Sequence, residues 1–129
     1  MKKVLVSVVE DDPFLRESMC RLMRSLVYTV DNFSSAVDFL ASPRLPDTAC
    51  LIADIHMPAM TGLELYRHLI ETSNAIPTLL VTAFPNDADR ARALKDGVLG
   101  YLHKPVDEDH LTRCVCAAFR SAGSPEEGS

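Results

Sequence analysis

Nowhere in the 129 residues does an apolar run approach the roughly 20 needed to cross a bilayer. Met1-Lys2-Lys3 leads into a stretch too short for a secretory leader, which sets the expectation of a cytoplasmic protein with no membrane partner. An excess of positive charge is also missing: 13 Lys+Arg stand against 18 Asp+Glu, a net charge of −5. Nothing here would displace counterions from phosphates, so nucleic acid is not expected to be bound by this chain itself. Cysteine is sparse and unpatterned. Cys20, Cys50, Cys114 and Cys116 make no CxxC pair and have no His at zinc-finger spacing, so four reduced, mostly buried thiols are expected. The nucleotide patterns GxxxxGK followed by Ser or Thr, and GxGxxG, are both absent, which removes the common ATP-binding readings. What the chain does have is core material. Hydrophobic residues make up 47% of it, and a single domain of this size buries roughly two-thirds of its unfolded surface.

Five times an apolar run is followed by a segment of helical period. Residues 4–9 are β-branched and nearly continuous, as in a strand covered on both faces. Leu15, Met19, Leu22, Met23 and Leu26 then recur at three- and four-residue steps. Asp12-Pro13 opens that helix with a capping acid and a first-turn proline. A short strand is expected at 28–30, then a brief helix capped by Ser34 or Ser35, carrying Ala36, Val37 and Leu40 and ended by Ser42-Pro43. The third strand, 49–53, stops at Asp54; beyond Pro58 and Gly62 a helix sets Leu63, Tyr66, Leu69 and Ile70 on one side. Residues 77–81 read as a fourth strand ending at Thr82. The next helix, 86–96, has only Leu94 as a large apolar anchor and closes on Gly97. A fifth strand covers 98–102, and Asp107 caps a last helix bearing Leu111, Val115, Ala118 and Phe119. This alternation implies an α/β fold, a parallel sheet with helices on both faces. Residues 121–129 (SAGSPEEGS) have the composition of a flexible tail or the start of a linker, so the domain is expected at 1–120.

Ligands of such sheets sit outside the carboxyl ends of the strands. Glu10, Asp11 and Asp12 follow the first strand, Asp54 the third, Thr82 the fourth, and His103, Lys104 and Pro105 the fifth. Parallel strands bring these ends to one edge, where the carboxylates of Glu10, Asp11 and Asp54 converge. Crowded carboxylates raise one another's pKa unless a cation neutralises them. An all-oxygen donor set suits a hard ion such as Mg²⁺. Lys104 adds a positive point charge for an anion's oxygens and Thr82 a hydroxyl donor. Taken singly, each residue reads as a turn acid, a helix cap or a surface lysine. Jointly, at the ends of different strands, they make a site for phosphoryl transfer onto an aspartate.

The same residues carry a resemblance. Val8-Val9-Glu10-Asp11-Asp12, Asp54-Ile55-His56-Met57-Pro58-Ala59-Met60-Thr61-Gly62, Val81-Thr82-Ala83 and Lys104-Pro105 together resemble a response-regulator receiver domain, over about residues 4–120. Residues 38–40 and 91–97 are most similar to the FixJ-type branch. The resemblance implies a doubly wound (βα)5 fold with the flavodoxin-like strand order 2-1-3-4-5, the order that the flavodoxin and chemotaxis-receiver folds share. It implies Asp54 as phosphoacceptor for a sensor histidine kinase. Mg²⁺ (or Mn²⁺) would be held by Asp11, by Glu10 through water, by Asp54, and by the backbone carbonyl of His56. Thr82 and Lys104 would bind phosphoryl oxygens, Thr82 and Tyr101 would couple as a switch, and Lys104-Pro105 would be cis. His56 and Phe84 stand at flanking positions that vary within the family, so they are expected to tune kinetics.

Such a domain is a regulatory phosphoacceptor that assists its own phosphorylation and dephosphorylation, rather than an enzyme acting on other substrates. It is expected to signal through the helix at 86–96, the fifth strand with Tyr101 and the last helix, to form a phosphorylation-dependent homodimer on that face, and to control a partner or an output domain that is absent from this chain, in transcription regulation. An aspartyl-phosphate phosphatase of the haloacid-dehalogenase type would need a second Asp two residues after the first, where His56 stands. An inactive interaction scaffold would have lost Asp54, Lys104 or the acids, and all are present. His68, His103 and His110 lack ligand partners at helical spacing and are expected to be solvated, and Cys114 and Cys116 to point to different faces.

Overall fold

A computed structural model describes residues 4–123. In chain order the elements are β1 (Leu5–Val9), α1 (Pro13–Ser25), β2 (Thr29–Phe33), α2 (Ala36–Leu40), a 3-10 turn (Leu45–Asp47), β3 (Thr48–Asp54), α3 (Gly62–Glu71), β4 (Thr78–Thr82), α4 (Asp87–Asp96), β5 (Gly100–His103) and α5 (Glu108–Gly123). All strand pairings are parallel and the order is β2-β1-β3-β4-β5, as expected. The central strands read as unbroken apolar runs because both of their faces are buried. Their alternate residues feed two cores. Val6, Val8, Cys50, Ile52, Leu79 and Val81 pack with Met19 and Met23 of α1 and Leu111, Val115 and Ala118 of α5. Val9, Leu51, Ala53 and Leu80 face the other way, onto Phe39 of α2, Leu65 and Leu69 of α3 and Ala93 of α4.

Several boundaries and faces differ from the pattern reading, each for a physical reason. Strand β2 runs to Phe33 because pairing with β1 carries it through the polar Asp31 and Asn32 at the sheet edge. Strand β5 starts at Gly100 rather than 98. Val98 belongs to the end of α4: its N–H donates to the Ala93 carbonyl while Gly97 N–H goes to Leu94, with Gly97 left-handed at φ 109. On α2 the buried pair is Ala36 and Phe39, and Val37 is exposed. On α3 Leu65 joins Tyr66 and Leu69 inside, whereas Ile70 is on the outer face. Leu94 does not anchor α4; it is 41% exposed, and the small Ala93 is the buried contact. Helix α5 continues through Gly123, so residues 121–123, read as the start of a tail, are helical; the stop signals Gly123 and Pro125 come later in the chain. The rest of that segment lies outside the described residues. Cys20 and Cys50 are buried and Cys114 and Cys116 half-buried, all as free thiols, and His68, His103 and His110 are exposed. Among the described residues no helix is long and apolar enough to cross a membrane.

Candidate phosphoacceptor site

Four strand ends build the site. Asp54 closes β3 and is buried at 3% exposure, while its neighbour His56 is already in solvent. The turn after it is held tightly: Gly62 N–H donates to the Ile55 carbonyl at 3.0 Å, and Ile55 N–H to Val81 at 2.9 Å. A Cβ at Gly62 would stand 2.5 Å from the Asp54 carbonyl oxygen and 3.2 Å from the Ile55 Cα. Only glycine lets α3 begin that close to the strand end carrying Asp54. Thr61 and Glu64 then start α3 with a reciprocal capping box, the T-x-x-E pattern of the sequence.

Glu10, Asp11 and Asp54 each offer a carboxylate oxygen within 4.8 Å of the other two, Glu10 and Asp54 buried and Asp11 exposed. Glu10 has no exposed surface. Its Oε2 accepts the Asp12 N–H at 3.1 Å, and its backbone carbonyl accepts from Arg16 Nη1 at 2.7 Å, a clamp on the acidic loop for which the sequence shows no spacing signal. Its Oε1 lies 3.0 Å from Lys104 Nζ but forms no aligned hydrogen bond. Burial, assisted by the nearby Asp54 charge, pushes Glu10 up to about 7 in spite of the Asp12 amide and Lys104. Burial alone would lower Lys104; its contacts with Glu10 and then Asp54 outweigh this and hold the ammonium above its usual range.

Lys104 Nζ is 3.3 Å from Asp54 Oδ1, and the His56 N–H also approaches Oδ1, at 3.4 Å. Both contacts fall on Oδ1 rather than Oδ2. Thr82 is fully buried, and its Oγ1 accepts the Phe84 N–H at 2.9 Å, so the hydroxyl proton remains available to an incoming oxygen. The Lys104 N–H donates to the Thr82 carbonyl at 2.8 Å, tying the β5 loop to β4, and Lys104-Pro105 is cis. Tyr101 lies on β5 opposite Leu80, and its hydroxyl accepts the Asn86 N–H at 3.1 Å, at the cap of α4. At the rim, the rings of His56 and the 70%-exposed Phe84 meet edge-on, centroids 5.4 Å apart.

The donor set fits a hard divalent cation. It is all oxygen, it is crowded with negative charge, and one buried carboxylate oxygen, Glu10 Oε1, lacks a hydrogen bond among the described residues. The geometry thus joins a buried aspartate, a lysine, a buried hydroxyl and two further acids at one sheet edge.

The family model of the response regulator receiver domain matches residues 6–115. The chain belongs to that family. Receiver domains are the phosphoacceptor modules of two-component signalling, and curated relatives carry the same domain. Nodulation protein W of Bradyrhizobium diazoefficiens is 34% identical over 116 residues, 90% of this chain and 51% of that protein. Response regulator protein TodT of Pseudomonas putida is 31% identical, over 92% of this chain and 52% of the relative. Transcriptional regulatory protein FixJ of B. diazoefficiens is 31% identical, over 91% and 57%. The chain spans about half the length of these relatives. Among solved structures, the response regulator StyR superposes with a TM-score of 0.87 at 33% identity, covering 98% of this chain and 64% of that one. FixJ-N superposes at 0.80 with 28% identity, over 92% and 94%. The likeness to the FixJ branch, read from residues 38–40 and 91–97, therefore holds for this receiver domain.

Proposed function

We propose that this receiver domain takes a phosphoryl group from a phosphohistidine of a sensor kinase onto Asp54. The observation that carries the reading is the pair of contacts from Lys104 Nζ, 3.0 Å to Glu10 and 3.3 Å to Asp54, beside the buried Thr82 hydroxyl. An Asp54 carboxylate oxygen attacks phosphorus, the P–N bond breaks, and its electron pair returns to the donor imidazole. Lys104 exchanges part of its contact with the acids for a phosphoryl oxygen, and Thr82 donates its hydroxyl proton to another. These are positioning and charge effects, which is most of what phosphoryl transfer requires. Glu10, Asp11, Asp54 and the His56 carbonyl would hold Mg²⁺ or Mn²⁺, which when bound neutralises the negative charge that the acids and phosphoryl group share.

The added charge of about −2 biases α4, β5 and α5 through Thr82 and the Tyr101–Asn86 contact, and so controls a partner or an output domain in transcription regulation, in the cytoplasm. A homodimer on that face is the expected active form. Hydrolysis of Asp54 phosphate needs water in line with the breaking bond, and the His56–Phe84 ring pair at the rim restricts it. The test is incubation with acetyl phosphate and Mg²⁺ followed by intact mass. Wild type should gain one phosphoryl group, and Asp54→Asn or EDTA-treated protein none. Labelling of Asp54→Asn equal to wild type would overturn the assignment.

A further inference from the structure

Helix α4 has the least apolar anchorage of the helices. Ala93 is its one buried residue, and its main packing is on β5. Each end is instead tied by a polar contact. At its start the Asn86 N–H donates to Tyr101 Oη at 3.1 Å. At its end Arg67 reaches over from α3, with Nη2 2.8 Å from Asp96 Oδ2. Under this second contact the Tyr66 hydroxyl lies 3.0 Å from where a Cβ on Gly97 would stand. Leu63, Tyr66, Arg92 and Ala93 line the cleft of about 220 Å³ beside it. Asp96 is otherwise an unfavourable choice, because an acid in the last turn faces the negative end of the helix dipole. Arg67 offsets that cost.

We propose that the Arg67–Asp96 ion pair is a clasp that holds the last turn of α4 against α3 before phosphorylation and sets how readily α4 moves afterwards. The second half rests on the proposed response of α4 to phosphorylated Asp54. A half-exposed ion pair is a weak contact on a well-packed helix. On α4, with one alanine buried, the same contact is a large share of what resists local opening.

Hydrogen exchange on the full chain tests this with Arg67→Gln, Asp96→Asn, the double variant, and the reversed pair Arg67→Glu with Asp96→Arg. Each single change should speed exchange across residues 87–96 about threefold, with the sheet and the unfolding midpoint unmoved. The double variant should add nothing further, and the reversed pair should restore protection. Treatment with acetyl phosphate and Mg²⁺ should then change α4 exchange less in the single variants than in wild type. If Asp96→Asn slows α4 exchange and Arg67→Gln leaves it unchanged, the dipole alone governs the helix and the clasp is refuted. An equal phosphorylation-induced change in wild type and variants also refutes it. Intact mass on the same samples keeps the two readings apart: loss of wild-type labelling refutes Asp54 as acceptor, while the unlabelled arms still judge the clasp.

Discussion

Replacing Glu10 with Gln should make the metal-free protein more stable at alkaline pH, against the habit of buried-residue substitutions. Glu10 has no exposed surface, and burial first, then the Asp54 charge, raises its pKa from 4.5 to about 7. An acid whose folded value lies above its unfolded one binds its proton more tightly when folded. The resulting stabilisation is complete below the unfolded value and disappears as pH rises through the folded one. The gap between the two values corresponds to about 3 kcal/mol, of which about 2 kcal/mol is lost between pH 5.5 and 8. Gln keeps an acceptor for the Asp12 N–H and cannot ionise, while Lys104 retains Asp54 as partner. Urea unfolding in EDTA at the two pH values measures the effect, provided that the denaturant slope is unchanged. We expect the variant's advantage over wild type to grow by about 2 kcal/mol between pH 5.5 and pH 8. Mg²⁺ at a hundredfold excess over its Kd should return about 2.7 kcal/mol to wild type and less to the variant. Parallel pH slopes for the two proteins in EDTA would refute the reasoning.

Gly62→Ala should cost roughly 2 kcal/mol or more and slow Asp54 labelling, because its Cβ meets backbone rather than a movable side chain; urea unfolding and mass labelling read both. Val27 is a β-branched residue at φ 69, 79% exposed at the end of α1. Val27→Gly should therefore raise stability by about 1 kcal/mol and leave labelling unchanged, as a shift in the urea midpoint would show. Phe84→Glu or His56→Asn should shorten the life of the phosphorylated form from hours towards minutes, as an order of magnitude. A tenfold change needs only about 1.4 kcal/mol, and a time course of label loss measures it.

The sheet and its site were legible because they rest on short-range signals. Strands buried on both faces read as unbroken apolar runs, and a parallel sheet brings their ends to one edge, so Glu10, Asp11, Asp54, Thr82 and Lys104 could be grouped from spacing alone. Helix faces were less legible where a residue's period fits two faces. Ile70 and Leu65 both suit the α3 stripe, and it is Leu65 that packs into the core beside Leu69 while Ile70 stays 39% exposed. Leu94 looked like an anchor because it is large, but the register set by the Asn86 cap turns it outward and Ala93 inward. Polar contacts such as Arg16 to the Glu10 carbonyl, six residues away, and Arg67 to Asp96, 29 residues away, leave no mark in spacing. They depend on how elements far apart in sequence, or on either side of a turn, come to rest.

Borohydride reduction gives the most direct test of the central claim, since it converts an acyl phosphate on aspartate to homoserine and so records which residue carried the group. Wild-type protein treated with acetyl phosphate and Mg²⁺, reduced and digested, should yield homoserine at position 54 and at no other acid, and none when EDTA is present. Homoserine at Asp11 or Asp12, or 5-hydroxynorvaline at Glu10, in place of homoserine at position 54, or an unmodified chain under saturating donor and Mg²⁺, would contradict the account.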